Sequence, residues 1–211
     1  MTSRLARLTE QELSEAGEVL ARAFFDDPLF VFVEPDDKIR GRFLPWLMTQ
    51  QTAHYRDSYG EVYRTPGRLE GAALWSLVGQ PDQEGKPGTP SWRAELPDRL
   101  GKSAYERWTR AITPLADLHE RDMPTTHWYL SVIGVAPPCQ GQGLGDALIA
   151  PILARADRDC LPCYLVTHKV GNVSFYQKYG YELLVEDDIP GGGLRYRTMR
   201  REPRSRSGAD G

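Results

Sequence analysis

Cysteine is scarce: three in 211 residues, an odd number, make no disulfide framework. No apolar run approaches the ~20 residues that span a bilayer. The first residues, Met1-Thr-Ser-Arg-Leu-Ala-Arg7, lack the continuous apolar stretch of a secretory signal. Lysine occurs only at Lys38, Lys86, Lys102, Lys169 and Lys178, so most of the 26 basic residues are arginine. Neither charge sign dominates, and a net charge of −3 argues against a general nucleic-acid or anionic-membrane partner. What is present, 40% apolar and 26% charged residues, is the composition of an ordinary packed protein. The expectation is one cytoplasmic domain over about residues 1–200, followed by a flexible tail at 201–211 in which the arginine-rich run is simply solvated.

Residues Arg4 to Leu8 alternate as a first strand, and Thr9 to Glu12 supplies a cap and an acidic first turn. Leu13, Ala16, Gly17, Leu20, Ala23 and Phe24 recur at helical spacing, and this helix ends near Asp26-Asp27-Pro28. The next stretch, Pro28 to Val33, reads as an unusually apolar loop, followed by a helix from about Asp36 to Ser58. Glu61 to Arg64 and Leu69 to Leu77 predict a hairpin turning at Thr65-Pro66-Gly67. Gly79 to Pro90 has the composition of a linker. Trp92 to His119 reads as helical, broken at Leu96-Pro97-Asp98, and forms an insertion over about 91–120. Strands are then expected at Thr126 to Val135, Cys163 to His168, Tyr181 to Glu186 and Leu194 to Met199, with helices at Gly143 to Asp159 and Asn172 to Tyr179. Strands interleaved with helices imply an α/β sheet with central parallel pairing. Pro190 to Gly193 needs only to turn a hairpin.

The densest signal is Val135-Ala-Pro-Pro-Cys-Gln140-Gly141-Gln142-Gly143-Leu144-Gly145-Asp146. A strand runs into three glycines that open an amphipathic helix. Glycine lets backbone approach a ligand closely, and a helix start offers unpaired N–H groups at the positive end of its dipole. The combination suits an anion, most naturally a pyrophosphate, although a tight strand-to-helix turn without ligand also accounts for the glycines. A phosphate-binding loop of the Gly-Lys-Ser/Thr type is excluded because Asp146 follows Gly145, and a dinucleotide fingerprint starting at Gly141 would need glycine at 146. Cys160-Leu-Pro-Cys163 has no second cysteine pair and precedes a strand, so neither a metal nor a redox role is expected.

The pattern Gln140-x-x-Gly143-x-Gly145 after a strand ending at Val135 resembles the acetyl-CoA signature of the GNAT N-acetyltransferase superfamily. Gly171-Asn172-Val-Ser174-Phe175-Tyr176-Gln-Lys-Tyr179-Gly180-Tyr181 is similar to a second stretch of the same family. His127-Trp-Tyr-Leu130 and Phe24-x-x-Asp27-Pro28 resemble the puromycin N-acetyltransferase-like branch. The resemblance implies the GNAT acyl-CoA N-acyltransferase fold, with a mixed sheet of about seven strands flanked by helices. It also implies transfer of an acetyl group from acetyl-CoA to a primary amine of a small molecule by direct attack on the thioester. A non-catalytic acetyl-CoA sensor on the same fold is the alternative.

Within that resemblance, Gly141, Gln142, Gly143, Leu144 and Gly145 would hold the pyrophosphate through backbone N–H groups, and Gln140 and Asp146 would also contact the cofactor. Ile133, Gly134 and Val135 would pair with the pantetheine, the Val135 N–H polarising the thioester carbonyl. Tyr176 stands where the family keeps its acid, since a phenol of pKa about 10 is protonated at neutrality; ordinary burial explains a tyrosine there too. Asn172 and Ser174 would contact the cofactor, and Asn172 can also cap its helix. His127 shares a strand face with Tyr129 and Ser131 and has the pKa of a base, with Glu34, Asp26, Asp27 or ordered water as alternatives. Phe30, Glu34, Tyr129 and Ser131 would contact the acceptor, and Leu29 to Val33 with Trp46 and Tyr55 would wall it in.

Overall fold

A computed structural model describes residues 6–59, 61–79 and 92–204. Arg4 and Leu5 of the expected first strand, residues 80–90 of the expected linker, position 91 of the insertion and residues 205–211 of the expected tail lie outside the described residues.

After β1 (Ala6–Arg7), Thr9 opens a short 3-10 turn by donating its backbone N–H to the Glu12 carboxylate at 2.9 Å. Helix α1 (Leu13–Phe24) follows and buries Ala16, Val19, Leu20 and Ala21. Pro28–Val33 is a helix, α2, and not a loop. Asp27, in extended conformation, accepts the Leu29 N–H at 3.0 Å, and Pro28 occupies the first turn, where its missing N–H costs nothing. Six residues without a polar face carry no periodicity, so only the cap betrays this helix. Asp36 caps α3 (Asp37–Tyr59) by accepting the Lys38 and Ile39 N–H groups. Strands β2 (Glu61–Arg64) and β3 (Gly71–Val78) form the expected hairpin. In the insertion, Pro97 lies inside α4 (Trp92–Leu100), and the expected break falls instead at Gly101, whose φ is +71°. Trp92, Leu96 and Leu100 bury on both sides of the proline and hold the helix together across it. Helix α5 (Lys102–Asp122) completes the insertion.

The remaining elements are β4 (His127–Val135), α6 (Leu144–Arg158), β5 (Cys163–Thr167), α7 (Gly171–Gln177), β6 (Glu182–Asp188) and β7 (Arg195–Arg201). Among the described residues, seven strands form one mixed sheet in the order β1-β2-β3-β4-β5-β7-β6, parallel only between β4 and β5. Alternate β3 residues face opposite layers. Ala72 and Leu74 join the core under α1 and α3, whereas Ala73 and Trp75 pack with Leu148, Ile149 and Ile152 of α6. Arg201, expected in the tail, is buried in β7 and donates to Asp157 at 2.8 Å. Cys163 begins β5 with its thiol buried, which pushes its pKa up to about 12.

Two features open the sheet beside β4. The parallel pairing of β4 with β5 covers only Trp128–Leu130 against Cys163–Leu165; beyond it the strands part. On the other edge of β4 the register passes from Leu130 opposite Trp75 to Val132 opposite Leu74, so Ser131 is the extra residue of a bulge. A bulge bends its strand and increases the twist, which carries residues 131–135 away from β5.

Gly134 sets the distance between α1 and this strand. A Cβ there would come within 2.9 Å of Leu20, 3.0 Å of Ala23 and 3.0 Å of Phe24. Gly134→Ala is therefore expected to destabilise the fold by about 1–3 kcal/mol through overpacking. Denaturant unfolding checks this, and an unchanged midpoint would contradict it.

Candidate active site

The parting of β4 from β5 leaves backbone groups without strand partners. Ala136 donates its N–H to Glu70 O at 2.7 Å, on the β3 side. Successive N–H groups of a strand point to opposite edges, so those of Val135 and Ile133 point into the gap beside β5. The Val135 carbonyl, on that same edge, accepts Gln140 Nε2 at 2.9 Å, which folds the loop back against the strand end. Gly141 and Gly143 then take φ of +77° and +79°, a region closed to most side chains, and Gly143 starts α6. A Cβ on Gly141 would meet nothing within 4 Å, so this side of the turn is open. No side chain caps α6, and its first N–H groups are left facing that opening. Gly145 brings α6 close to α7, where an added Cβ would lie 3.4 Å from Phe175.

A cavity of about 420 Å³ lies against this turn. Of the residues the sequence singled out, Ile133 to Val135, Gln140, Gly141, Gly143 to Asp146, Asn172 and Tyr176 line it. Lys169 adds positive charge at its wall, and Lys178, also in the lining, pairs with Asp146. Gln142 and Ser174 are exposed and do not line it; their side chains donate to Pro138 O at 3.4 Å and Gly171 O at 3.3 Å. The Asp146 carboxylate is held below its usual range by the Tyr179 hydroxyl and by Lys178, whose Nζ is 3.0 Å away, so this side chain ties α6 to α7.

A second cavity of about 220 Å³ lies on the other side of the gap. Phe30, Tyr55, Tyr129 and Ser131 line it as expected, and Trp108 of α5 adds another aromatic wall. Trp46 does not reach it and packs at 5.8 Å on Phe43, under the Arg99 guanidinium. Glu34 lines neither cavity; it is buried at the end of α2, where its carboxylate accepts the Asp36 N–H at 3.0 Å. The two cavities share Phe24, Asp27, Ile133, Asn172 and Tyr176.

Tyr176 at this junction is 5% exposed. Burial, then the nearby Asp27 charge, raise its phenol pKa, so it keeps its proton. Burial also raises the Asp27 carboxyl, against the Leu29 N–H and Lys169, which both lower it. Asn172 does not cap α7; it lies inside the first turn and donates to Thr167 Oγ1 at 3.2 Å, tying α7 to the end of β5. The Tyr129 phenol is pushed up to about 12, chiefly by burial. Two basic side chains in this lining were not singled out, His168 and Arg93. His168 directly follows β5, at the carboxyl end of a parallel strand, and that position is the signal that could have found it. Burial and then Arg197 lower its pKa to about 4, and its Nε2 is buried without a partner among the described residues.

His127 lies outside both linings. It is 1% exposed, with Nδ1 2.6 Å from Thr125 O and Nε2 2.6 Å from His119 Nε2 on α5. The carbonyl fixes the Nδ1–H tautomer, so His127 Nε2 accepts from His119, and the ring joins the insertion to the sheet. Burial, then His127, lower His119 to about 4, and burial also lowers His127. Folded-state pKa values below the unfolded value of about 6.5 mean that the unfolded chain takes up protons first. Stability is then full above about pH 6.5 and falls as pH drops towards 4. A melting curve against pH should be flatter over that window in His119→Gln than in the parent; parallel curves would contradict the assignment.

Residues 110–203 match the model of the acetyltransferase (GNAT) domain. An uncharacterised N-acetyltransferase of Schizosaccharomyces pombe is 26% identical over 182 residues, covering 83% of this chain and 72% of the relative. A Corynebacterium glutamicum structure described as histone acetyltransferase HPA2 and related acetyltransferase superposes with a TM-score of 0.68 at 21% identity, over 99% of this chain and 100% of the other. Arylalkylamine N-acetyltransferase 2 from Aedes aegypti superposes with a TM-score of 0.66 at 15% identity, over 95% and 99%. The mixed seven-stranded sheet with flanking helices is the fold of these acetyltransferases.

Proposed function

We propose that this protein is an N-acetyltransferase that moves an acetyl group from acetyl-CoA to a primary amine of a small molecule. The observation that carries this reading is the meeting of two cavities, one against a helix-opening glycine turn and one lined by aromatic rings, at a shared Tyr176. The donor set suits a CoA pyrophosphate: backbone N–H groups at the start of α6, an open face at Gly141, and Lys169 and Lys178 alongside. The free edge of β4 suits an amide-containing pantetheine arm, which can take the place of the missing strand.

Acetyl-CoA supplies the acyl group as a thioester. The Val135 N–H donates to the thioester carbonyl oxygen, where negative charge grows during attack. As the amine nitrogen bonds to the carbonyl carbon and the C–S bond breaks, Tyr176 Oη gives its proton to the departing sulfur. Asp27, half-buried at the same junction, accepts the proton that the amine loses. His127 is not the base in this scheme. The likeness to the puromycin N-acetyltransferase-like branch rests on Phe24-x-x-Asp27-Pro28 and on His127 to Leu130, and an aminonucleoside is accordingly one acceptor to test. The cytoplasm, where acetyl-CoA is formed and used, is the proposed location; no described helix is long and apolar enough to cross a membrane.

A thiol-release assay with acetyl-CoA and a panel of aryl-alkylamines, aminonucleosides, polyamines and amino acids tests the reading. Amine-dependent CoA release with an N-acetylated product of the expected mass supports it. Saturable acetyl-CoA binding without turnover on any amine would replace it with a sensor.

A further inference from the structure

The acceptor cavity holds one feature that acetyl transfer to a simple amine does not require. Arg93, near the start of α4, lines the wall of aromatic and aliphatic side chains, and its guanidinium makes no hydrogen bond or ion pair among the described residues. It lies over the Trp92 ring, 5.6 Å from the centroid. Several arginines beside other cavities are already neutralised: Arg195 pairs with Asp188, Arg197 with Glu186 and Arg200 with Glu202.

The position of Arg93 along the cavity is also informative. Its charge acts on the Tyr129 phenol and on the His54 ring. Like Tyr129 it lines this cavity alone, whereas Asp27, Tyr176 and Ile133 line both cavities and mark the end where the two join. Tyr129 and Ile133 are four strand residues apart, about 13 Å at ~3.3 Å per residue. The rings of Phe30, Tyr55 and Trp108 line the same cavity. A carboxylate marks the junction, a guanidinium without a partner among the described residues stands away from it, and aromatic rings form the walls.

We propose, resting on acetyl transfer as the reaction of this site, that the acceptor is an elongated aromatic amine whose far end carries a carboxylate, bound by Arg93. The guanidinium fork matches a carboxylate in two parallel hydrogen bonds. The amine then reaches Asp27 and the thioester. An ordinary α-amino acid does not satisfy the arrangement, because its amine and carboxylate share one carbon and cannot reach both ends.

The test compares kcat/KM for para-carboxyphenethylamine, phenethylamine and phenylalanine in the parent, Arg93→Gln and Arg93→Lys. In the parent the para-carboxylate probe is expected to exceed phenethylamine and phenylalanine by ~10-fold or more. The ratio of para-carboxylate to phenethylamine should fall by ~10- to 100-fold in Arg93→Gln, as for a lost charge-assisted bond, and recover in part in Arg93→Lys. A parent ratio of one or below, or a ratio unchanged in Arg93→Gln while acetylation continues, would overturn the role of Arg93 alone. Absence of CoA release from every amine would instead remove the acetyl-transfer reading on which this inference rests.

Discussion

Tyr176→Phe is expected to lower kcat for the proposed acetyl transfer by about 100- to 10,000-fold, the usual contribution of a positioned general acid. Acetyl-CoA affinity should stay close to that of the parent. The substitution removes one oxygen from a ring that packs edge-on against Phe175 at 5.3 Å and Tyr181 at 5.8 Å, so the packing persists. The Tyr176 hydroxyl makes no hydrogen bond to any described residue, so its loss strands no buried partner and the melting temperature should change little. A tyrosine kept only for structure would show the reverse pattern, with loss of stability and normal turnover. Initial rates of thiol release, read beside a melting curve, separate the two. A variant with parental kcat would remove Tyr176 from the mechanism.

On the donor side, Gly143→Val should raise the KM for acetyl-CoA by about 10- to 100-fold with a smaller change in kcat. Gly143 holds φ at +79° and begins α6, so a β-branched residue there costs about 1–2 kcal/mol in backbone strain alone. Relief of that strain moves the first turn, and with it the N–H groups proposed to meet the pyrophosphate. A Cβ at this position would lie 3.7 Å from Asp146, so crowding inside the protein is not the main cost. Steady-state kinetics at varied acetyl-CoA provide the readout. A parental KM would show that the turn does not hold the donor.

The cavity at the glycine turn is legible in the sequence because its signals are local. Three glycines, a preceding strand and a following helix specify the turn within a dozen residues, and the cavity forms where they stand. The second cavity is not, because it is assembled by elements far apart in the chain. Arg93 comes from the insertion, Tyr55 from α3, His168 from the end of β5, and the bulge at Ser131 opens the gap in which they meet. His127 escapes a strand-face argument for a related reason. Alternation along an isolated strand takes no account of α5, which lies over that end and lets His119 take the ring's free nitrogen. Glu34 meets its partner in the turn between α2 and α3, away from both cavities, and six apolar residues do not announce that a helix ends there.

Whether the two cavities form one channel joined at Tyr176 is decided by the affinity of a bisubstrate conjugate in which phenethylamine is linked through an acetyl bridge to the CoA sulfur. The conjugate should bind at least ~100-fold more tightly than CoA, because joining two ligands makes the second binding event intramolecular. Phe30→Ala should weaken the conjugate and leave CoA binding unaltered. Equal affinities for CoA and the conjugate would contradict a joined channel, since the aromatic cavity would then be closed to a molecule held at the glycine turn.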